Sequence, residues 1–321
     1  MKLQNLLIKP PDQGLLEAWF QPMGFHLHLV TNSPAVLTAA ETSFRGFGPS
    51  QPATSADFTF RLFAHELDEG RLELPLFRME GLLLYQTGGR DSTLVADLAT
   101  GLAYGYFSNT TLNHQPFFRW HYLDLALFMM LEARGLMGVH GSALVKNGRA
   151  VLLRAQSGGG KTTLAYAGAR NSFQALAEDV VWLDRERELW WGVPWFFHLL
   201  PDAKRLFPEL APYEPVIQTN GELKLEVNLE KIRPGSTTVS AQPGPVVLVE
   251  RLPGGQSRLE RLDPAQARSL WQAARTGLEM KLIHHPAYLE TLLSGELYRL
   301  YSGDDLEASL KLLDPLFEAG L

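Results

Sequence analysis

The stretch Arg149-Ala-Val-Leu-Leu-Arg154-Ala155-Gln156-Ser157-Gly158-Gly159-Gly160-Lys161-Thr162-Thr163-Leu-Ala-Tyr-Ala-Gly-Ala-Arg170 decides the fold. Its first six residues are a short apolar run bounded by charges, which predicts a buried strand. Three consecutive glycines follow, and then an Ala- and Leu-rich run that reads as a helix. Strand, glycine-rich loop and helix in this order match the phosphate-loop (Walker A) pattern at every defined position except the first, where Ala155 stands for Gly. Consecutive glycines let the backbone curl so that several N–H groups point inward at phosphate oxygens. The start of the helix adds its partial positive charge and unpaired N–H groups at the same place. The spacing assigns Ser157, Gly158, Gly159, Gly160, Lys161, Thr162 and Thr163 to a bound nucleotide. Lys161 is expected to reach the β- and γ-phosphates, and the Thr162 hydroxyl to complete the shell of a bound Mg²⁺. A nucleotide and Mg²⁺ are therefore expected to bind here.

On the N-terminal side, 140–146 and 149–154 read as two strands joined by Asn147-Gly148, a strong hairpin signal because both residues tolerate positive φ. Earlier still, Leu123, Leu127, Met130 and Leu131 recur at helical spacing over 117–134, and Gly135 follows as a C-cap. On the C-terminal side, 173–184 reads as one apolar strand with two adjacent acids, Glu178 and Asp179, inside it. Adjacent carboxylates cost repulsion and desolvation unless a cation or donor sits nearby, and a Mg²⁺–triphosphate would supply one. One acid would lean on the metal while its neighbour, aimed differently by the pleat, takes a proton from an attacking hydroxyl. Residue types alone are equally compatible with two solvent-facing acids at a strand end.

His140-Gly141, the glycine loop through Lys161-Thr162, and Ala177-Glu178-Asp179-Val180-Val181 resemble the catalytic domain of the HPr kinase/phosphorylase superfamily. They are most similar to its HPr-kinase-like serine kinase branch, some members of which modify peptides such as lasso-peptide precursors. The resemblance is specific over 139–183 and weaker through 192–194, 207–210, 221–228 and 297–301. It implies an α/β P-loop kinase domain with a mixed sheet of the HPr kinase and phosphoenolpyruvate carboxykinase type, plus an N-terminal α/β domain. By resemblance, Asp179 is the base that activates a serine hydroxyl, and Glu178 (normally Asp) lies by the metal with Thr162. Lys161 binds phosphate, and His140 lies near the phosphates. The implied activity is ATP-dependent transfer of the γ-phosphate to a serine hydroxyl of a peptide or protein. A free-serine kinase and a nucleotide-binding regulatory protein that transfers nothing are the alternatives. Homo-oligomers are common among such relatives, but no residue pattern here sets a number.

Two departures stand out. Thr163 takes the place where the HPr enzymes usually carry Glu, and their second glycine-rich signature has no counterpart, since Pro253-Gly254-Gly255 is only a turn. Both argue against HPr itself as the acceptor and against the reverse phosphorolysis. Glu178 keeps the charge of the usual Asp on a longer arm.

With 321 residues, the chain is expected to form one large or two medium domains. The boundary is expected near residue 115, with an N-terminal α/β domain of unknown role over 1–115 and the catalytic domain over 116–321. A composition 45% hydrophobic and 20% charged argues against disorder. A net charge of −6 argues against nucleic acid or anionic lipid as partners. The absence of cysteine excludes disulfides, thiolate metal sites and cysteine nucleophiles. No secretory signal and no membrane span are read, so a soluble cytoplasmic protein is expected.

In the first domain, strands are predicted at 25–30 and 57–64 and a helix at 35–42. A hairpin of 83–86 with 92–97 turns at Thr87-Gly88-Gly89-Arg90-Asp91, and 103–107 adds a further strand. His26 and His28 decorate a strand, Met129 and Met130 fill core, and His284-His285-Pro286 belong to a turn or helix end. Trp182, Trp190, Trp191, Trp195, Phe196 and Phe197 form core in preference to a ligand wall. Lys204, Arg205 and Lys224 are the downstream cations that could balance a migrating phosphoryl group. At the C-terminus a helix starts at Asp263-Pro264, followed by a strand over 297–301 and a last helix after 302–304.

Overall fold

The computed structural model describes residues 14–48, 51–218, 221–273 and 286–318. The chain divides into two mixed α/β units, Met1–Arg134 and Gly135–Leu321.

The first unit is built on a seven-stranded mixed sheet. Its strands follow in the order Leu16–Phe20, Leu27–Thr31, Phe58–Ala64, Leu102–Phe107, Ser92–Asp97, Leu83–Gly88 and Leu76–Glu80. The hairpin expected around residues 87–91 forms, with Gly88 opposite Ser92, and alternate residues of both its strands are buried as a period of two requires. The helix expected at 35–42 runs from Pro34 to Phe44. His28 decorates its strand, paired with Glu17 at 3.0 Å and stacked on Trp19. His26 lies just before that strand, and its backbone N–H donates to Asp57 Oδ2 at 2.7 Å.

The division falls nineteen residues later than the boundary expected near residue 115. The helical stretch Gln115–Phe118, the π-helical turn Arg119–Asp124 and the helix Leu125–Ala133 belong to the first unit. Their aromatic side chains pack on its sheet. Phe118 and Tyr122 meet Phe107 edge-on, with ring centroids 4.8 and 4.9 Å away, and Gln115 Nε2 donates to the Ala35 carbonyl at 3.1 Å. Helical spacing showed that this segment buries one face, but not which sheet receives it. Gly135, at φ 92°, ends the helix in the left-handed conformation its sequence position predicts.

The second unit is centred on a six-stranded mixed sheet in the order Gln174–Ala177, Ser142–Lys146, Arg149–Arg154, Val246–Arg251, Leu297–Ser302, Arg258–Arg261. The three strands from Arg149–Arg154 to Leu297–Ser302 are mutually parallel, and the other pairings are antiparallel. Strand alternation divides the apolar residues between two cores. Leu144, Val151 and Leu153 face one cluster, with the helix residues Leu164, Ala165 and Tyr166. Ala143, Val145, Ala150 and Leu152 face the other, with Trp190, Trp271 and Leu293. Both faces being covered explains why Ala150–Leu153 reads as a continuous apolar run.

A four-stranded antiparallel sheet, in the order Ser240–Ala241, Leu189–Gly192, Val180–Asp184, Met137–His140, packs in the second core. At Gly192 the two sheets approach too closely for a side chain, since a Cβ there would lie 1.8 Å from the Leu176 carbonyl oxygen. A three-stranded sheet, Phe197–Leu199, Leu223–Val227 and Pro215–Ile217, contributes Phe197, Leu199, Leu225 and Val227 to the first core. Of the aromatic cluster, Trp182, Trp190 and Phe197 are buried in the core, whereas Trp191, Trp195 and Phe196 are half-buried. The expected C-terminal elements form as Pro264–Ala273, Leu297–Ser302 and Leu306–Leu313. His284 and His285 lie outside the described residues, as does the side chain of Pro286.

Candidate active site

The Arg149–Arg154 strand is entered through the expected hairpin, with Asn147 at φ 53° and Gly148 at φ 77°. It leaves into the glycine loop, where Gly158 (φ 77°) and Gly160 (φ 87°) adopt left-handed conformations and the helix Lys161–Ala169 begins. Ala155, the departure from the loop pattern, is not among the positive-φ residues and is buried in the first core. Glycine is therefore not required at that position. No acidic side chain lies in the first turn of the helix, so no residue of the helix itself offsets the partial positive charge of its leading N–H groups. Thr163 is the third helical residue and is half-buried.

The acid pair is placed differently from the sequence expectation. Residues 173–184 are two strands in two sheets, Gln174–Ala177 in the six-stranded and Val180–Asp184 in the four-stranded. Glu178 and Asp179 are the link between them. A second crossing lies alongside, where the chain passes from His140 in the four-stranded sheet through Gly141 to Ser142 in the six-stranded one. The crossings are tied together, Gly141 N donating to the Asp179 carbonyl at 2.9 Å and Ser142 Oγ to the Glu178 carbonyl at 2.5 Å. A continuous apolar run hid this break, because both halves are buried and period alone does not reveal a change of sheet.

The crossing aims the two carboxylates at neighbouring residues of the helix start. Lys161 Nζ donates to Asp179 Oδ1 at 3.1 Å, and His140 Nδ1 lies 3.2 Å from the same oxygen. The Thr162 hydroxyl donates to Glu178 Oε1 at 2.9 Å. Lys161 and Glu178 are buried, whereas about half of the Asp179 side chain is exposed. Partial burial works against the Asp179 charge, but Lys161, His140 and Lys224 outweigh it and hold the carboxyl below the usual carboxylate range. Of the three downstream cations, only Lys224 acts on this acid. Lys204 donates to the Ala211 carbonyl at 3.2 Å, and Arg205 is exposed on the surface.

Three residues not singled out from the sequence complete the arrangement. His198 Nδ1 lies 3.3 Å from Glu178 Oε2, and its Nε2 lies 3.7 Å from Glu226 Oε2 on the adjacent strand, where the two residues are directly paired. Glu226 was within reach of sequence reasoning, because it alternates with Lys224 on the polar face of that strand. Arg154 is fully buried, donates from Nη1 to the His140 carbonyl at 2.8 Å, and lies over the Trp271 ring at 4.0 Å. It fixes the backbone of the crossing that carries His140.

Desolvation lowers the pKa of His198, but hydrogen bonds and the charges of Glu178 and Glu226 overcome it and raise the value to about 9. A histidine raised above its unfolded value of about 6.5 contributes stability that is complete below that pH and is lost as pH rises toward the folded value. His198→Gln is therefore expected to flatten the alkaline decline of the melting temperature between pH ~6.5 and ~9. The change should be on the order of 1 kcal/mol, after allowance for solvent screening of a partly exposed ring. An unchanged slope in thermal melts would contradict the charge placed on His198.

The donor set at Thr162 and Glu178 suits Mg²⁺. Both offer hard oxygens, and this ion commonly takes one or two carboxylates plus substrate phosphates in place of an all-protein cage. Among the described residues no group of three or more histidine, aspartate or glutamate side chains is arranged to hold a metal by itself, and none of the helices is long and apolar enough to cross a membrane.

No family model matches the chain, and no curated protein matches it. Among solved structures it is similar to the Hpr(Ser) kinase/phosphatase from Coxiella burnetii, at 11% identity over 56% of this chain and 95% of that one, with a TM-score of 0.29. A likeness this loose does not establish a shared fold.

Proposed function

We propose that this protein is an ATP- and Mg²⁺-dependent kinase that transfers the γ-phosphate to a serine hydroxyl of a peptide or protein, with the chemistry carried by the Gly135–Leu321 unit. The observation that carries this reading is the division of labour at the helix start. Glu178 meets the Thr162 hydroxyl at 2.9 Å, while Asp179 meets Lys161 at 3.1 Å and His140 at 3.2 Å. A protein that only binds nucleotide needs the loop, the lysine and one metal-side acid. A second acid on the lysine side, half-exposed and within reach of an incoming group, suits a base.

The residues support a stepwise account. The 157–161 backbone and Lys161 hold the β- and γ-phosphates. Thr162 and Glu178 would hold a Mg²⁺, whose chemistry there would be neutralisation of phosphate charge. The acceptor oxygen attacks the γ-phosphorus as the bond to the β-phosphate oxygen breaks, Asp179 takes the hydroxyl proton, and ADP leaves. His140 offers a donor on the Asp179 side, where charge builds on the transferring group.

The low pKa of Asp179 without nucleotide does not oppose this role. Once Lys161 turns to phosphate, the largest influence favouring the charged form is diverted, and burial and the nearby phosphate charge raise the basicity of the carboxylate. The serine acceptor rests on the residue-level resemblance over 139–183. The test is ADP release from Mg-ATP in the presence of free serine, peptides with internal or C-terminal serine, and an HPr-like protein, with products identified by mass. A peptide or protein gaining one phosphate, with ADP released in proportion, is the expected result. Phosphorylation of free serine alone would replace the macromolecular acceptor, and tight ATP binding without transfer to any acceptor would replace the kinase by a regulatory binder.

A further inference from the structure

The Leu76–Glu80 strand ends the seven-stranded sheet of the first unit, and among the described residues it pairs only with Leu83–Gly88. Of the fourteen exposed large apolar side chains among the described residues, six lie within positions 67–82. They are Leu67, Leu72, Leu74, Leu76, Phe77 and Leu82, with Leu76 at 76% exposure. At the opposite edge of the sheet, Leu16–Phe20, the exposed residue is Glu17. An edge that combines apolar side chains with unpaired N–H and C=O groups is a template for another strand, and folded proteins usually keep such edges charged or covered.

We infer that this edge joins two copies of the chain, their Leu76–Glu80 strands pairing antiparallel about a two-fold axis at Met79. The turn beside the strand fixes which backbone groups face outward. Glu80 pairs with Leu83 across the two-residue turn Gly81-Leu82, with Gly81 at φ 60°. Residues that close such a turn exchange both backbone bonds. Leu76, Arg78 and Glu80 therefore bond inward, and Phe77 and Met79 present their N–H and C=O groups outward.

A two-fold interface sets one patch against itself, so the strand must complement its own reverse. With the axis at Met79 it does. Arg78 of each copy lies opposite Glu80 of the other, Leu76 lies opposite Leu82, and the two Met79 residues exchange both bonds. Arg78 already pairs with Glu80 inside one chain, so joining two copies makes a ring of four alternating charges. The neighbouring registers fail. An axis at Arg78 sets the two guanidinium groups directly opposite each other. An axis at Phe77 sets Met79 against Pro75, which has no N–H to donate. This self-complementarity is what favours a second copy over an unrelated strand. The inference concerns the first unit and does not depend on the nucleotide reading of the second.

The test is sedimentation of the full chain without nucleotide, which should show a dimer that dissociates on dilution. Met79→Pro removes only an outward N–H, a change that an edge strand tolerates, and should give a monomer with unchanged circular dichroism. Arg78→Glu should weaken association about tenfold or more, and adding Glu80→Arg should restore it to within about threefold. Because the chain has no cysteine, Met79→Cys carries one thiol per copy. Its mate across the axis would lie about 5.5 Å away between Cα atoms, within disulfide reach. Air with a copper catalyst, which takes one hydrogen from each thiol, should therefore link the copies covalently and leave Glu17→Cys on the far edge unlinked. A wild type that stays monomeric at every concentration overturns the interface and leaves the edge to another partner. A dimer indifferent to both charge changes, or one linked through Glu17→Cys in place of Met79→Cys, lies elsewhere on the chain and overturns it too. Should Met79→Pro fail to fold, the charge reversal and its rescue decide.

Discussion

Lys161→Ala is expected to weaken Mg-ATP binding by about 10²–10⁴-fold, because it removes two charge-assisted hydrogen bonds to phosphate, each worth roughly 1.5–3 kcal/mol. The side chain is buried at the helix start, where it donates to Asp179 Oδ1 at 3.1 Å. Its removal therefore strips the loop of its cation and leaves the Asp179 carboxylate facing the incoming phosphates, with His140 and Lys224 as its remaining balance. Both effects act in the same direction. Titration with a fluorescent ATP analogue measures the loss, and thermal melting shows whether the fold is retained. ATP affinity within threefold of the wild type would mean that the glycine loop is not a phosphate site.

The second large effect separates binding from chemistry. Asp179→Asn keeps the shape of the side chain and removes its charge and proton-accepting oxygen, so transfer to any acceptor should fall by about 10²–10⁴-fold. ATP affinity should be unchanged or up to about threefold tighter, since Lys161 no longer has to leave a carboxylate and the γ-phosphate no longer meets one. Acceptor-dependent ADP release measured beside equilibrium binding distinguishes the two. Full transfer activity in Asp179→Asn would remove the base assignment. A loss of binding equal to the loss of turnover would make the residue a structural partner of Lys161 alone.

Parts of this site were legible because their signals are local. The Asn147-Gly148 turn, the glycine run and the helix beginning at Lys161 are each encoded within a few residues by turn chemistry, positive φ and helix propensity. The structure places all three where expected. The structure pairs Lys161 with Asp179 and Thr162 with Glu178. The Glu178-Asp179 segment was misread as strand interior for an equally local reason. Ala175, Leu176 and Ala177 before it and Val181, Trp182 and Leu183 after it are all buried, so hydrophobicity runs unbroken across a change of sheet. Lys204 and Arg205 were chosen for their charge, and the 3₁₀ turn Pro201–Arg205 directs them elsewhere.

The sequence by itself determined the strand–loop–helix unit and the hairpin that feeds it, because backbone conformation there is set by neighbours along the chain. Only the tertiary structure decided that residues 115–133 pack on the first unit and that the acids lie at a crossing between two sheets. It also decided that His198 and Glu226 converge on Glu178 and that buried Arg154 braces the His140 carbonyl. These depend on pairing between segments tens of residues apart, where burial of apolar area and satisfaction of buried hydrogen bonds over the whole unit select one arrangement that no short stretch encodes.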